Sequence, residues 1–180
     1  MKTTINISRR AGALQVRDAL GKFTDEMYTS VNLRVSNISK NYVGKLYEEI
    51  IVNSPVLTGA FRRSIKISKG RATNLPFSKE MLGDATPPKI GSLPTDDEKK
   101  DSGYNALFSK SQDDSLGGKK HLKRRTYYIT ATVPYATQVE FTGWKDAAGK
   151  VMKDPYMPFK KAVTKVRNSS DRFNWKTSGI

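Results

Sequence analysis

The chain has 180 residues, with 32 Lys+Arg against 17 Asp+Glu, a net charge of +15, and 37% hydrophobic residues. That length and apolar content support one domain with one modest core, and leave part of the chain to loops or arms. With no cysteine and one histidine, disulfide frameworks, thiolate chemistry and multi-histidine metal sites are excluded.

The charge is uneven. Residues 1–70 carry +7, residues 71–118 carry −2 and residues 119–180 carry +10. Two basic ends flanking a slightly acidic middle fit a polyanionic neighbour, either nucleic acid or an acidic protein surface. His121 lies inside a lysine run, a poor setting for a Ser–His pair. No apolar run approaches the ~18 residues that span a bilayer. The start, MKTTINISRR, lacks the apolar core of a signal peptide.

In chain order, Thr3 to Ser8 alternates, with Ile5 and Ile7 on one face, as a short strand or arm does. Phe23, Met27, Val31, Val35, Ile38, Tyr42, Leu46 and Ile50 then recur at steps of 4, 4, 4, 3, 4, 4 and 4. The spacing predicts a helix of about 30 residues with one apolar stripe facing the core. Its steps follow 3.6 residues per turn rather than the 3.5 of a long coiled coil. Asn53, Ser54 and Pro55 end it. Thr58 is placed to cap one helical turn and Gly59 to allow close packing. Ser64 to Ser68 alternates as a strand.

Residues 70–118 are rich in Gly, Pro, Ser and Asp and show no periodicity. They read as a disordered insertion or an extended arm that docks through scattered apolar anchors. Lys119, Lys120, Lys123, Arg124 and Arg125 form a basic cluster. They are candidates to contact DNA phosphates without reading sequence, or an acidic partner. Arg125 to Val133 alternates as a strand of β-branched and aromatic residues, closed by Pro134. Tyr135 to Gly143 reads as a short helical turn ending at glycine. Residues 144–154 read as a hairpin or loop. Pro158 opens a second helix to about Arg167 with Phe159, Ala162, Val163 and Val166 on its apolar face. The tail holds Phe173 and Trp175 as anchors. Gly117-Gly118-Lys119 lacks the remainder of a phosphate-binding loop.

These elements give an α+β fold: a long N-terminal helix packed on a small, mainly antiparallel sheet, with a second C-terminal helix and a long irregular insertion. Residues 1–69 form the arm, long helix and first strand. Residues 70–118 form the insertion, residues 119–168 complete the single domain, and residues 169–180 are the tail. Two strands do not make an independent sheet, so the N-terminal strand and residues 144–154 are candidates to add to it, and otherwise neighbouring subunits complete it. Glu140 is the acidic residue that stands out, either as an ion-pair partner within or between subunits, for Arg62 or Arg63, or as a solvated turn residue. A lone carboxylate without a second acid or a histidine is poor support for acid–base chemistry.

Three segments, SPVLTGAFRRSI at 54–65, VPYATQVEFTG at 133–143 and PYMPFKKAV at 155–163, occur in an order that resembles the minor tail and tail-completion (neck) proteins of long-tailed bacteriophages, typified by a lambdoid-phage minor tail component. Pro55, Thr58, Gly59, Arg62 and Ser64 match the first piece of that pattern. Tyr135, Ala136, Glu140, Phe141 and Gly143 match the second, and Pro158, Phe159 and Ala162 the third. The likeness covers about 130 residues outside the insertion. It departs at Thr142, because the pattern places glycine directly after the glutamate–aromatic pair, and in the length of the insertion.

The resemblance implies a non-catalytic, cofactor-free and metal-free virion protein, assembled in the host cytoplasm. It implies a homo-oligomeric ring, a hexamer or dodecamer, at the head–tail junction. Its neighbours would be the portal or adaptor complex on one side and the tail tube or terminator on the other, with genomic DNA passing through the lumen and no membrane contact. The competing readings are a terminator ring capping the tail tube and a non-specific nucleic-acid-binding protein.

Overall fold

A computed structural model describes residues 13–56, 59–73, 89–109, 126–145 and 147–170. In order the elements are α1 (Ala13–Val52), α2 (Ala60–Ser64), β1 (Ile65–Lys69), α3 (Asp96–Ser102), α4 (Tyr104–Phe108), β2 (Tyr127–Ala131), a π-helical turn (Gln138–Thr142), β3 (Trp144–Lys145), β4 (Val151–Lys153) and α5 (Pro158–Ser170). The fold is α+β, as the residue patterns predict. The expected N-terminal strand at Thr3–Ser8 and the tail anchors Phe173 and Trp175 lie outside the described residues.

The chain divides into two compact units, one of Met1–Ser39 with Lys110–Arg124 and one of Lys40–Ser109 with Arg125–Ile180. In the first, the described element is α1 up to Ser39. Thr24, Thr29 and Ser39 there turn their hydroxyls back onto carbonyls four residues earlier, at 2.7–2.8 Å, the usual way a helix interior absorbs Ser and Thr.

The second unit holds the core. Tyr47, Ile50 and Ile51 of α1 pack with Phe61, Ile65, Val133, Val139 and Ala162. β1 and β2 pair antiparallel, with Ile65 opposite Ala131 and Ile67 opposite Ile129. Those four share one face of the sheet, and that face lies on the core. β3 and β4 form a separate small antiparallel hairpin, where the sequence predicts a hairpin or loop. Proline ends α1 as expected, and two side chains assist it. Asn53 Nδ2 donates to the Glu49 carbonyl at 2.7 Å, alongside its own backbone N–H at 3.1 Å, and Ser54 Oγ donates to the Ile50 carbonyl at 2.6 Å.

Two expectations are corrected. The apolar stripe of α1 is not uniformly core. Phe23, Met27, Val31 and Val35 are 40–50% exposed. Among the described residues, those buried along α1 are Asn32, Ser36, Val43, Gly44, Tyr47, Ile50 and Ile51. Asn32, Ser36, Val43 and Tyr47 each stand one residue, about 100° of helix rotation, past a stripe position. Second, residues 89–109 of the supposed extended or disordered insertion form two short helices on the body. Residues 74–88 and 110–125 lie outside the described residues.

Candidate functional site

The first of the three motif segments supplies Arg62, on the single turn of α2. Gly59 starts that turn in the left-handed region (φ 72°) and offers no side-chain cap. Thr58, the expected cap, lies outside the described residues. Arg62 is fully buried. Its Nε and Nη2 donate to the two carboxylate oxygens of Glu98, each at 2.9 Å. Nη1 donates to Ser92 Oγ at 2.9 Å and Nη2 also to the Leu93 carbonyl at 3.1 Å. Four of the five guanidinium N–H groups are thereby engaged, in the forked geometry that arginine provides and lysine does not.

Glu98 is held from its own side. Thr95 and Glu98 form a capping box at the start of α3, with the Thr95 N–H donating to Glu98 Oε2 at 2.8 Å and the Glu98 N–H to Thr95 Oγ1 at 3.2 Å. Tyr47 OH donates to the Glu98 carbonyl at 3.0 Å. Burial pushes the Tyr47 hydroxyl up to about 12.

α4 continues the attachment. Tyr104 stacks obliquely between Tyr47 and Phe108, at ring separations of 5.4 and 5.2 Å. Its hydroxyl donates to Glu48 at 2.7 Å. Burial, then the acceptor Glu48, raise that hydroxyl to about 12. Phe108 reaches α1 at Gly44, where a Cβ would sit 2.9 Å from the ring. Glycine costs a helix interior about 1 kcal/mol, and here it makes room for the ring. Lys66 Nζ donates to the Asp101 carbonyl at 2.9 Å. Partial burial lowers its pKa, and nearby Asp101 opposes that shift.

The second and third motif segments meet at Glu140. Its carboxylate accepts from the backbone N–H groups of Phe159 at 3.0 Å and Lys160 at 2.9 Å. It thus caps the N-terminus of α5, where unpaired amides and the helix dipole favour a negative charge. The expected ion pair between Glu140 and Arg62 is therefore corrected. Glu98 is the partner of Arg62, and Glu140 serves backbone amides on another element.

The turn that carries Glu140 is π-helical, closed by the Gly143 N–H donating to the Gln138 carbonyl at 2.9 Å. A π turn takes one residue more than an α turn, which accommodates Thr142. Gly143 follows with φ 64° and ψ −164°. A Cβ there would lie 2.2 Å from the Lys153 carbonyl oxygen, so only glycine fits. The Val139 carbonyl accepts from the Tyr156 and Met157 amides at 2.9 and 3.2 Å, fixing the approach to α5. Pro158 is the first residue of α5, as expected, and is fully buried. Tyr135 and Phe159 are partly buried against the core, and burial raises the Tyr135 hydroxyl.

The structure therefore brings Arg62 to one buried clamp, and Glu140, Gly143, Pro158 and Phe159 to one helix cap. The basic cluster Lys119, Lys120, Lys123, Arg124 and Arg125 lies outside the described residues. Sequence reasoning missed Glu98, Tyr104 and Gly44. The signal for the first was present: Thr95-Asp96-Asp97-Glu98 is a capping box and Gly103 closes the helix it opens. Among the described residues, no group of three or more His, Cys, Asp or Glu could hold a metal ion. Among the same residues no helix is long and apolar enough to cross a membrane.

No family model matches the chain, and no curated protein and no solved structure matches it.

Proposed function

We propose that this protein is a structural, non-catalytic subunit of a bacteriophage virion, forming a ring at the head–tail junction that links the portal or adaptor complex to the tail and surrounds the DNA channel. One observation carries the reading. The three motif segments resembling neck and tail-completion proteins contribute Phe61, then Val133 and Val139, then Ala162 to a single buried cluster with the end of the long helix. The motif residues also have specific structural duties: Arg62 clamps, Glu140 caps, Gly143 permits a tight approach and Pro158 opens α5.

The net charge of +15 favours a second feature of the same reading, a basic surface tolerant of passing DNA. Phosphate contacts of that kind bind without sequence preference and weaken steeply with salt.

The deciding experiment is a reconstruction of the virion that locates this chain. Density for it between portal and tail tube supports the reading. Density seated on the tail tube without contact to the portal or adaptor supports the terminator-ring alternative. Absence from the particle, together with salt-sensitive sub-micromolar DNA binding by the free subunit, supports a nucleic-acid-binding protein.

A further inference from the structure

Within the first unit, α1 presents an apolar face of Leu20, Phe23, Met27, Val31, Val35 and Ile38. The first five are 40–53% exposed and Ile38 is half-buried. The exposed surface is on the order of 500 Å², comparable to the largest apolar patch of a typical monomer, the size that marks interaction sites. Its spacing is 3, 4, 4, 4, 3. That sequence of steps reads the same in both directions.

We propose that this face is the contact through which two copies of the protein pair, with their α1 helices antiparallel. A palindromic stripe is self-complementary under a two-fold axis. With the axis level with residue 29, Leu20 lies opposite the partner's Ile38, Phe23 opposite the partner's Val35, and Met27 opposite the partner's Val31. Each apolar side chain meets an apolar side chain, which a parallel pairing displaced along the helix does not achieve throughout.

Charge points to the same occupant. The chain as a whole is strongly basic, and two copies repel on most surfaces. Residues 18–38 carry Asp18, Lys22, Asp25, Glu26 and Arg34, a net charge of −1, so this segment is exempt. Glu26 and Arg34 are both exposed and lie on the same flank of the stripe. An antiparallel pair brings like flanks together. In this register Glu26 stands within two residues, about 3 Å along the axis, of the partner's Arg34, and the two-fold makes the ion pair twice. The apolar face supplies on the order of two thirds of the ~800 Å² per partner that a standard interface buries, and the polar flanks supply the remainder.

Such a contact closes on itself, whereas a ring is built from head-to-tail contacts. The pair therefore uses a contact different in kind from the one that closes a ring.

The test is the mass of the full chain in solution by light scattering or sedimentation. The wild type is expected to be a dimer at micromolar concentration. V31E and M27E are expected to be monomers with unchanged helical circular dichroism. E26R and R34E should each weaken pairing roughly three- to tenfold, and the E26R/R34E double variant should restore it. Because the chain has no cysteine, L20C mixed with I38C should cross-link on oxidation, while L20C alone should not. A monomeric wild type, indifference to V31E, failure of the double charge swap, or self-cross-linking of L20C would each overturn the proposal. Rings that form equally well from V31E would uphold the ring reading while overturning this pair only if wild-type dimers were also absent.

Discussion

The two halves of α1 are built from the same kinds of residue and meet opposite fates. From Leu20 to Ser36 the large apolar positions are exposed and the buried ones are the polar Asn32 and Ser36. From Val43 to Ile51 the buried positions are apolar, Val43, Tyr47, Ile50 and Ile51. A helix does not choose its buried face from its own periodicity alone. In the second half the choice is made by β1, α2 and the α3–α4 segment, which converge on Tyr47 from different parts of the chain. The lesson is that a regular stripe specifies a helix firmly and its partner only weakly.

Removing the clamp should separate the two halves most sharply. Arg62→Ala leaves Glu98 buried without its counter-ion, a change that costs about 3–5 kcal/mol. The expected result in denaturant is a large loss of stability in the 40–109 region, read by protection of Tyr104 and its neighbours in hydrogen exchange. A loss confined to below about 1 kcal/mol would mean the pair is not the anchor of this segment.

Gly143→Ala comes next. It forces a side chain against the Lys153 carbonyl in a backbone region L-residues avoid, and should cost about 3 kcal/mol or more. Thermal unfolding of the purified variant measures it, and an unchanged midpoint would contradict the tight turn. Glu140→Ala removes the α5 cap and should cost about 1–2 kcal/mol. Glu140→Gln keeps an acceptor and should recover part of that loss.

High pH gives a graded version of the same comparison. Burial raises the Tyr47 hydroxyl from 10.0 to about 12. A raised folded-state pKa favours the protonated form, so its contribution is complete below pH 10 and is lost as pH rises toward 12. Stability should therefore fall across that window, and Tyr47→Phe should flatten the fall while costing about 1 kcal/mol at neutral pH through the lost bond to Glu98. The smallest expected effect lies in the first half of α1. Val31→Glu should change the folding stability of the isolated subunit by no more than about 0.5 kcal/mol, in contrast to its effect on pairing. A loss of several kcal/mol would show that Val31 belongs to a core after all.

The amino-acid sequence alone determined the local choices. Pro55 stops α1, Pro158 opens α5, and alternation marks β1 and β2, because these depend on backbone geometry within a few residues. Gly143 was legible as the end of a helical turn, whereas Glu140 stood out in the sequence as an ion-pair partner and instead caps α5. The capping box at Thr95 was equally legible and passed unread, because the surrounding glycines and prolines masked a helix of seven residues. Only the tertiary structure decided the pairings. Arg62 chose Glu98 over Glu140, Gly44 admitted Phe108, and the first half of α1 buried the face one residue past its apolar stripe. Each of these depends on which distant segments arrive together, and burial, unlike helix formation, is a property of that arrival.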